Sequence, residues 1–310
     1  MSADRPERGA GGIVSLAGET SSAEVSPRAA SLRALRVRGL DLVEPTARFA
    51  EPPGMAGAVL VPWPNRVADA HWRYDGAEQR LKVTEPELGH ANHGLLAAHD
   101  FTVRAASAAS VTLTAPVTGH PGYPFDLDVA VTYRLRPDGI EVATAFANRG
   151  DRPAPVASGA HPYPRVGLAP TETLALRLDA PSARVPGPTH LPGPSFDVTG
   201  TVYDLRTGAP FAKLPRHLTY ELADTGKPSR HRLSAPDGTA VELHADGHHR
   251  WFQLYIAEGL PTDEGPRPAV AVEPMTAPPN ALRTGEGLRW IEPDETWTVR
   301  WGLSLIEPGS

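Results

Sequence analysis

The stretch Gly159-Ala160-His161-Pro162-Tyr163 places an imidazole between two small residues and a proline. Pro162 disfavours the α region for the residue before it, so His161 is expected on extended backbone with its ring aimed in one direction. Gly159 and Ala160 leave room for a ligand, and Tyr163 offers an apolar wall or a hydroxyl. By residue type alone, His161 is either a satisfied core histidine or a proton donor held over a ligand. A second stretch, PAVAVEPMTAPPN, ends the apolar run Ala269-Val270-Ala271-Val272 in Glu273, again followed by proline. A carboxylate buried at a strand end has its charged form disfavoured, which raises its pKa towards the range of a general base. The alternative is a glutamate neutralised by an arginine.

Two further segments carry directed hydrogen-bonding groups. In PWPNRV, Asn65 and Arg66 stand beside Trp63: an amide and a planar guanidinium suit a hydroxyl-rich ligand, and the indole suits a sugar's apolar face. The other reading of PWPNRV is a turn in which Arg66 makes an ordinary ion pair. HANHGLL offers His90 and His93 as ligand contacts. Their spacing suggests a metal, yet no third ligand follows at fixed spacing, so no metal is expected; His244, His248 and His249 in HADGHHR read as an exposed hairpin end. His120 and Tyr123 in GHPGYPF form a weaker polar and aromatic pair.

The elements that must hold these groups read as strands. In LDLDVAVTYRL, Leu127, Val129, Val131, Tyr133 and Leu135 share one face, and after the Pro137-Asp138-Gly139 turn Ile140, Val142, Thr144 and Phe146 share another. Similar hairpins are expected around Asp75-Gly76 and Pro236-Asp237-Gly238. With 34 prolines and 29 glycines spread along 310 residues, few segments can run as helix for three turns. SPRAASLRALRV has helical spacing, although Pro27 and the strand-rich surroundings argue against a helix. The expected fold is all-β, a large β-sandwich. Residues 1–12 are expected to be a disordered lead and 13–308 one domain; the Pro-rich stretches 181–194 and 260–268 are expected to be surface loops.

Composition removes several function classes. Net charge is −6, from 30 basic and 36 acidic residues intermixed, which gives no field for nucleic acid or an anionic membrane. There are no cysteines, hence no disulfide, thiolate zinc site or cysteine nucleophile. No apolar run approaches the roughly 18 to 20 residues needed to cross a bilayer. The first residues lack the apolar segment of a secretory signal, so a cytoplasmic location is expected. Without G-x-G-x-x-G, a phosphate loop or G-x-S-x-G, neither nucleotide cofactors nor serine hydrolysis has a motif. A histidine and a glutamate among hydrogen-bonding residues suit proton transfer to and from a small sugar, with no cofactor.

PWPNRV, NHGLL, GAHPYP, WFQLY and AVEPMTAPPNAL, in this order, resemble the aldose 1-epimerase (galactose mutarotase) family along the full chain, especially its bacterial branch with a proline-rich site. The resemblance implies a super-sandwich with a sugar cleft on its face. It makes His161 the general acid that protonates the ring oxygen and Glu273 the general base that takes the proton of the anomeric hydroxyl. Arg66, His93 and Gln253 match positions that bind sugar hydroxyls; Asn65 and Tyr163 are expected beside them. One departure stands out: where the family has a substrate-binding aspartate, KLPRHLTYELAD puts Arg216 or His217, with Asp224 several residues late. Two other readings remain, a non-catalytic carbohydrate-binding or regulatory protein of the same fold, and a hexose 6-phosphate epimerase. The second requires a basic cluster at the rim, for which Arg73, Arg165 and Arg216 are the candidates.

Overall fold

The computed structural model describes residues 12–309, so the lead expected over 1–12 lies, except for Gly12, outside the described residues. The chain is almost entirely β, built on a nine-stranded and a seven-stranded sheet. Within the nine-stranded sheet, Leu127–Arg136 and Gly139–Asn148 pair antiparallel with Val129 opposite Phe146 and Tyr133 opposite Val142. Alternation decides the faces: Leu127, Val129, Val131, Tyr133 and Leu135 are buried, as are Ile140, Val142, Thr144 and Phe146 on the returning strand. The hairpins at Asp75-Gly76 and Pro236-Asp237-Gly238 also form, joining His71–Tyr74 to Ala77–Arg80 and Ser229–Ser234 to Ala240–Ala245.

A meander of four strands, Val14–Ala17, Ser21–Ser26, Ser31–Val37 and Leu40–Asp41, packs against the nine-stranded sheet, where Tyr133 donates to the Ala30 carbonyl at 2.6 Å. SLRALRV, whose spacing suited a helix, is therefore strand. The burial pattern explains the outcome, because Leu35 and Val37 face the core at a period of two while Arg36 faces out.

The seven-stranded sheet carries its own longest antiparallel pair near its centre, Trp251–Leu260 beside Arg267–Met275. Phe252, Leu254, Val270 and Val272 turn towards the nine-stranded sheet: His231 of that sheet meets Phe252 at 4.3 Å between ring centroids, and Leu233, Val241 and Leu243 line one small internal cavity with Val272. The alternate residues, Gln253, Ala271 and Glu273, must then face the other side of the seven-stranded sheet. That parity puts a carboxylate outside the inter-sheet core, on the face over which the loops close. Among the described residues, no helix is long and apolar enough to cross a membrane.

Candidate active site

A cleft of about 870 Å³ opens on this face, lined by Asn65, Arg66, His93, His161, His217 and Glu273 among others. His161 follows the two-residue strand Gly159–Ala160, which lies between Val59–Leu60 and Arg267–Met275. The His161 amide donates to the Ala58 carbonyl at 3.0 Å, its carbonyl accepts from Gly57 at 2.9 Å, and the Val272 amide reaches the Pro162 carbonyl at 3.2 Å. The backbones carrying His161 and Glu273 are thus bonded to each other. Gly159 is required here, since a Cβ would come within 2.7 Å of Pro64.

His161 Nε2 lies 3.3 Å from Glu273 Oε1, with the residues 5% and 2% exposed. Burial pushes Glu273 up to about 8, partly offset by the Arg66 charge, and pushes His161 down to about 4. Burial thus acts against an ion pair here and favours carboxyl beside neutral imidazole. His161 Nδ1 and Glu273 Oε2 have no partner among the described residues.

The opposite side of the pair is built by two residues in left-handed backbone, Asn65 (φ 55°) and His93 (φ 61°). Non-glycine residues in that region cost of order 1 kcal/mol each and concentrate where geometry matters. They hold each other: the His93 amide donates to the Asn65 carbonyl at 2.9 Å and the Asn65 amide donates to His93 Nδ1 at 3.2 Å. Because Nδ1 accepts, the proton of neutral His93 is on Nε2. Burial, and then the neighbouring His161 ring 5.6 Å away, keep His93 well below its ordinary value, so it is a neutral donor. Gly94 follows at φ 77°, where a Cβ would stand 2.1 Å from the Val61 carbonyl oxygen. Arg66 is gripped by Glu85, Nε to Oε2 at 2.7 Å and Nη2 to Oε1 at 2.8 Å, and Nη1 reaches Asn65 Oδ1 at 3.4 Å, which aims the guanidinium and leaves N–H donors for a ligand.

Two residues expected to contact sugar are not brought to the cleft. Gln253 stands opposite Glu273 in register, but its amide donates to the Leu218 and Leu254 carbonyls, both at 3.0 Å, and its oxygen accepts from Thr219 Oγ1 at 2.7 Å. With every polar atom engaged, Gln253 works as part of the floor. Tyr163 packs with Ala56, Ala257, Leu260, Ala269 and Ala271 beneath His161, and its hydroxyl donates to Gly54 at 3.1 Å. Trp63 is also core, 6.1 Å from Tyr123, and offers no face to a sugar.

The cleft also holds His217, which the sequence marked only as a departure from the family pattern, and His190, Tyr255 and Ile256, which the sequence did not point to. His217 pairs in register with Tyr255 across adjacent strands, and both line the cleft with Ile256. Burial, followed by the Arg66 charge, pushes His217 down to about 4, so a neutral imidazole stands near the place where the family pattern has a carboxylate. Asp224 lies elsewhere, paired with Arg250 at 2.8 Å. The loop Pro186-Gly187-Pro188 and His190 form the far wall, His190 meeting His217 at 5.4 Å. The only signal for that wall was the Pro-rich composition, which says loop and nothing about where it folds. Of the three arginines considered for a phosphate, only Arg216 reaches the cleft, ion-paired with Glu258; Arg165 is buried against Glu44 and Glu264, and Arg73 is exposed on its hairpin.

Residues 13–304 match the family described as aldose 1-epimerase. The chain is 33% identical over 285 residues to the uncharacterized protein YihR of Escherichia coli (strain K12), covering 91% of this chain and 89% of that one. Two solved structures share the fold. A GalM/aldose epimerase homologue from C. elegans superposes with a TM-score of 0.84 at 17% identity, covering 96% of this chain and 99% of that one. A galactose 1-epimerase from Lactobacillus acidophilus NCFM gives 0.79 at 15%, covering 99% and 98%.

Proposed function

The chain belongs to the aldose 1-epimerase family, and from that premise we propose that it interconverts the α and β anomers of a free aldose, with His161 as general acid and Glu273 as general base. The observation that carries this reading is the buried pair at 3.3 Å, displaced in opposite directions and opening on a cleft large enough for a sugar.

In this reading the pair starts with one proton, on Glu273, and the first step is its transfer to His161, which the 3.3 Å contact permits. Arg66 favours this step because its charge stabilises the carboxylate that results. Glu273 then takes the proton of the anomeric hydroxyl while His161 gives its proton to the ring oxygen. The bond between the anomeric carbon and the ring oxygen breaks, and the anomeric oxygen becomes a carbonyl. Rotation about the bond between the first two carbons presents the other face. His161 takes back the proton of the ring hydroxyl and Glu273 returns its own to the carbonyl oxygen; transfer of the proton from His161 back to Glu273 then restores the starting pair as the other anomer leaves. Asn65, Arg66 and neutral His93 are donors placed to hold the sugar's oxygens during rotation.

Polarimetry on freshly dissolved α-glucose and α-galactose, with buffer catalysis subtracted, tests the proposal. Acceleration by wild type and not by Glu273→Gln is the expected result. Equal acceleration by both proteins overturns the assignment of Glu273, and no acceleration of any free aldose overturns the reading as a whole.

A further inference from the structure

His90 is buried and does not line the cleft, yet it bonds to three of the segments that build it. Its Nδ1 accepts from the Asp69 amide at 3.1 Å, so the ring proton is on Nε2, which then donates to the Thr189 carbonyl at 3.1 Å. Its own carbonyl accepts from Thr84 at 3.0 Å and from Glu85 at 3.1 Å, and Glu85 is the residue that aims Arg66.

The Thr189 contact matters because of the loop it holds. Gly187, Pro188, Thr189 and His190 are exposed, and the loop's other hydrogen bonds are internal: Gly187 to Leu191 at 2.8 Å, His190 to Gly187 at 2.9 Å and Gly193 to Val185 at 2.9 Å. Pro186, Pro188 and Pro192 have no amide to donate. Among the described residues, the bond from His90 is the one hydrogen bond that ties residues 186–190 to another part of the chain.

Resting on the epimerase reading for its kinetic arm, we propose that His90 is a positioning residue: its Nε2–H fixes the Pro186–His190 wall over the cleft and thereby sets sugar affinity without touching the sugar. Such a residue acts on binding more than on the proton transfers, since the acid–base pair is held by other backbone.

Two variants separate the two ring nitrogens. In His90→Asn the short amide reaches the Nδ1 position, keeping the Asp69 contact and losing Thr189; in His90→Gln the longer amide reaches Nε2 and restores the loop. The expected results for H90N are a KM raised about tenfold, the size of one lost buried hydrogen bond, kcat within about twofold of wild type, and faster amide exchange at Gly187 and His190. H90Q returns KM and exchange towards wild type. Unchanged KM and loop exchange in H90N, or a fall in kcat with KM constant, overturns the proposal. The exchange arm reads the loop whether or not wild type accelerates mutarotation, so failure of the epimerase reading is seen separately. Should H90N not fold, imidazole nitrogen NMR on wild type decides: a His90 proton on Nδ1 refutes the bond to Thr189.

Discussion

Replacing Glu273 by glutamine removes an ionisation and keeps the shape, so it separates two consequences of burying this carboxyl. The first is stability against pH. In the unfolded chain the carboxyl ionises at its ordinary 4.5, and in the folded protein only near 8. A group with a raised folded pKa contributes stability that is complete below the unfolded value and is lost as pH rises through the folded one. Between pH 6.5 and 8 the folded protein therefore holds one more proton than the unfolded chain, at 1.36 kcal/mol per unit, a loss of about 2 kcal/mol. His161 does not confuse this window, because its lowered value moves its own loss to the acid side, below 6.5 and through about 4. Urea unfolding at pH 6.5 and 8.5 is expected to show wild type losing about 2 kcal/mol more than Glu273→Gln over that interval. The second consequence is catalytic: general bases contribute about 10²- to 10⁴-fold, and the glutamine variant is expected to lose that much kcat by polarimetry. Parallel stability curves for the two proteins would refute the argument that burial keeps this carboxyl protonated, whatever the activity does.

Three further outcomes follow from the site. His161→Asn is expected to lose about 10²-fold or more in kcat while its circular dichroism stays that of wild type; turnover near wild type removes His161 from the proton path. Arg66→Ala is expected to raise KM by roughly 10- to 100-fold, the worth of hydrogen bonds to a charged group, and to move the alkaline limb of the pH–rate profile upward, because the charge that lowers the Glu273 pKa is gone. An unmoved alkaline limb contradicts that electrostatic link. Gly94→Ala must place a methyl 2.1 Å from the Val61 carbonyl oxygen in left-handed backbone, and a stability loss of several kcal/mol is expected in thermal or urea unfolding; a loss within about 0.5 kcal/mol shows that the His93 turn can shift.

What the sequence disclosed and what it hid divide along a physical line. Alternation over ten residues in Leu127–Arg136 and Gly139–Asn148 is local, and a strand's two faces follow from it directly. Glu273 was readable for the same reason, as the residue that breaks an apolar run beside a proline, and its displacement follows from burial once the run is a central strand. Gln253 shows where that reasoning stops. Its parity places it on the cleft side, opposite Glu273, but whether an amide faces a ligand or is consumed by its neighbours depends on Thr219 and Leu218, one strand further away in space and more than 30 residues away in sequence. The far wall was less accessible still: His190, His217 and Tyr255 belong to a loop and two strands with no shared periodicity, and only the pairing of His217 with Tyr255 and the single tie from His90 to Thr189 bring them over the acid–base pair. Of the groups proposed to move protons, Glu273 is thus carried by a regular strand that local pattern specifies, and His161 stands directly after a two-residue strand bonded beside it. The far wall is carried by a loop and two strands whose meeting is set by isolated long-range contacts, and substitution there is expected to change substrate preference before it changes the chemistry.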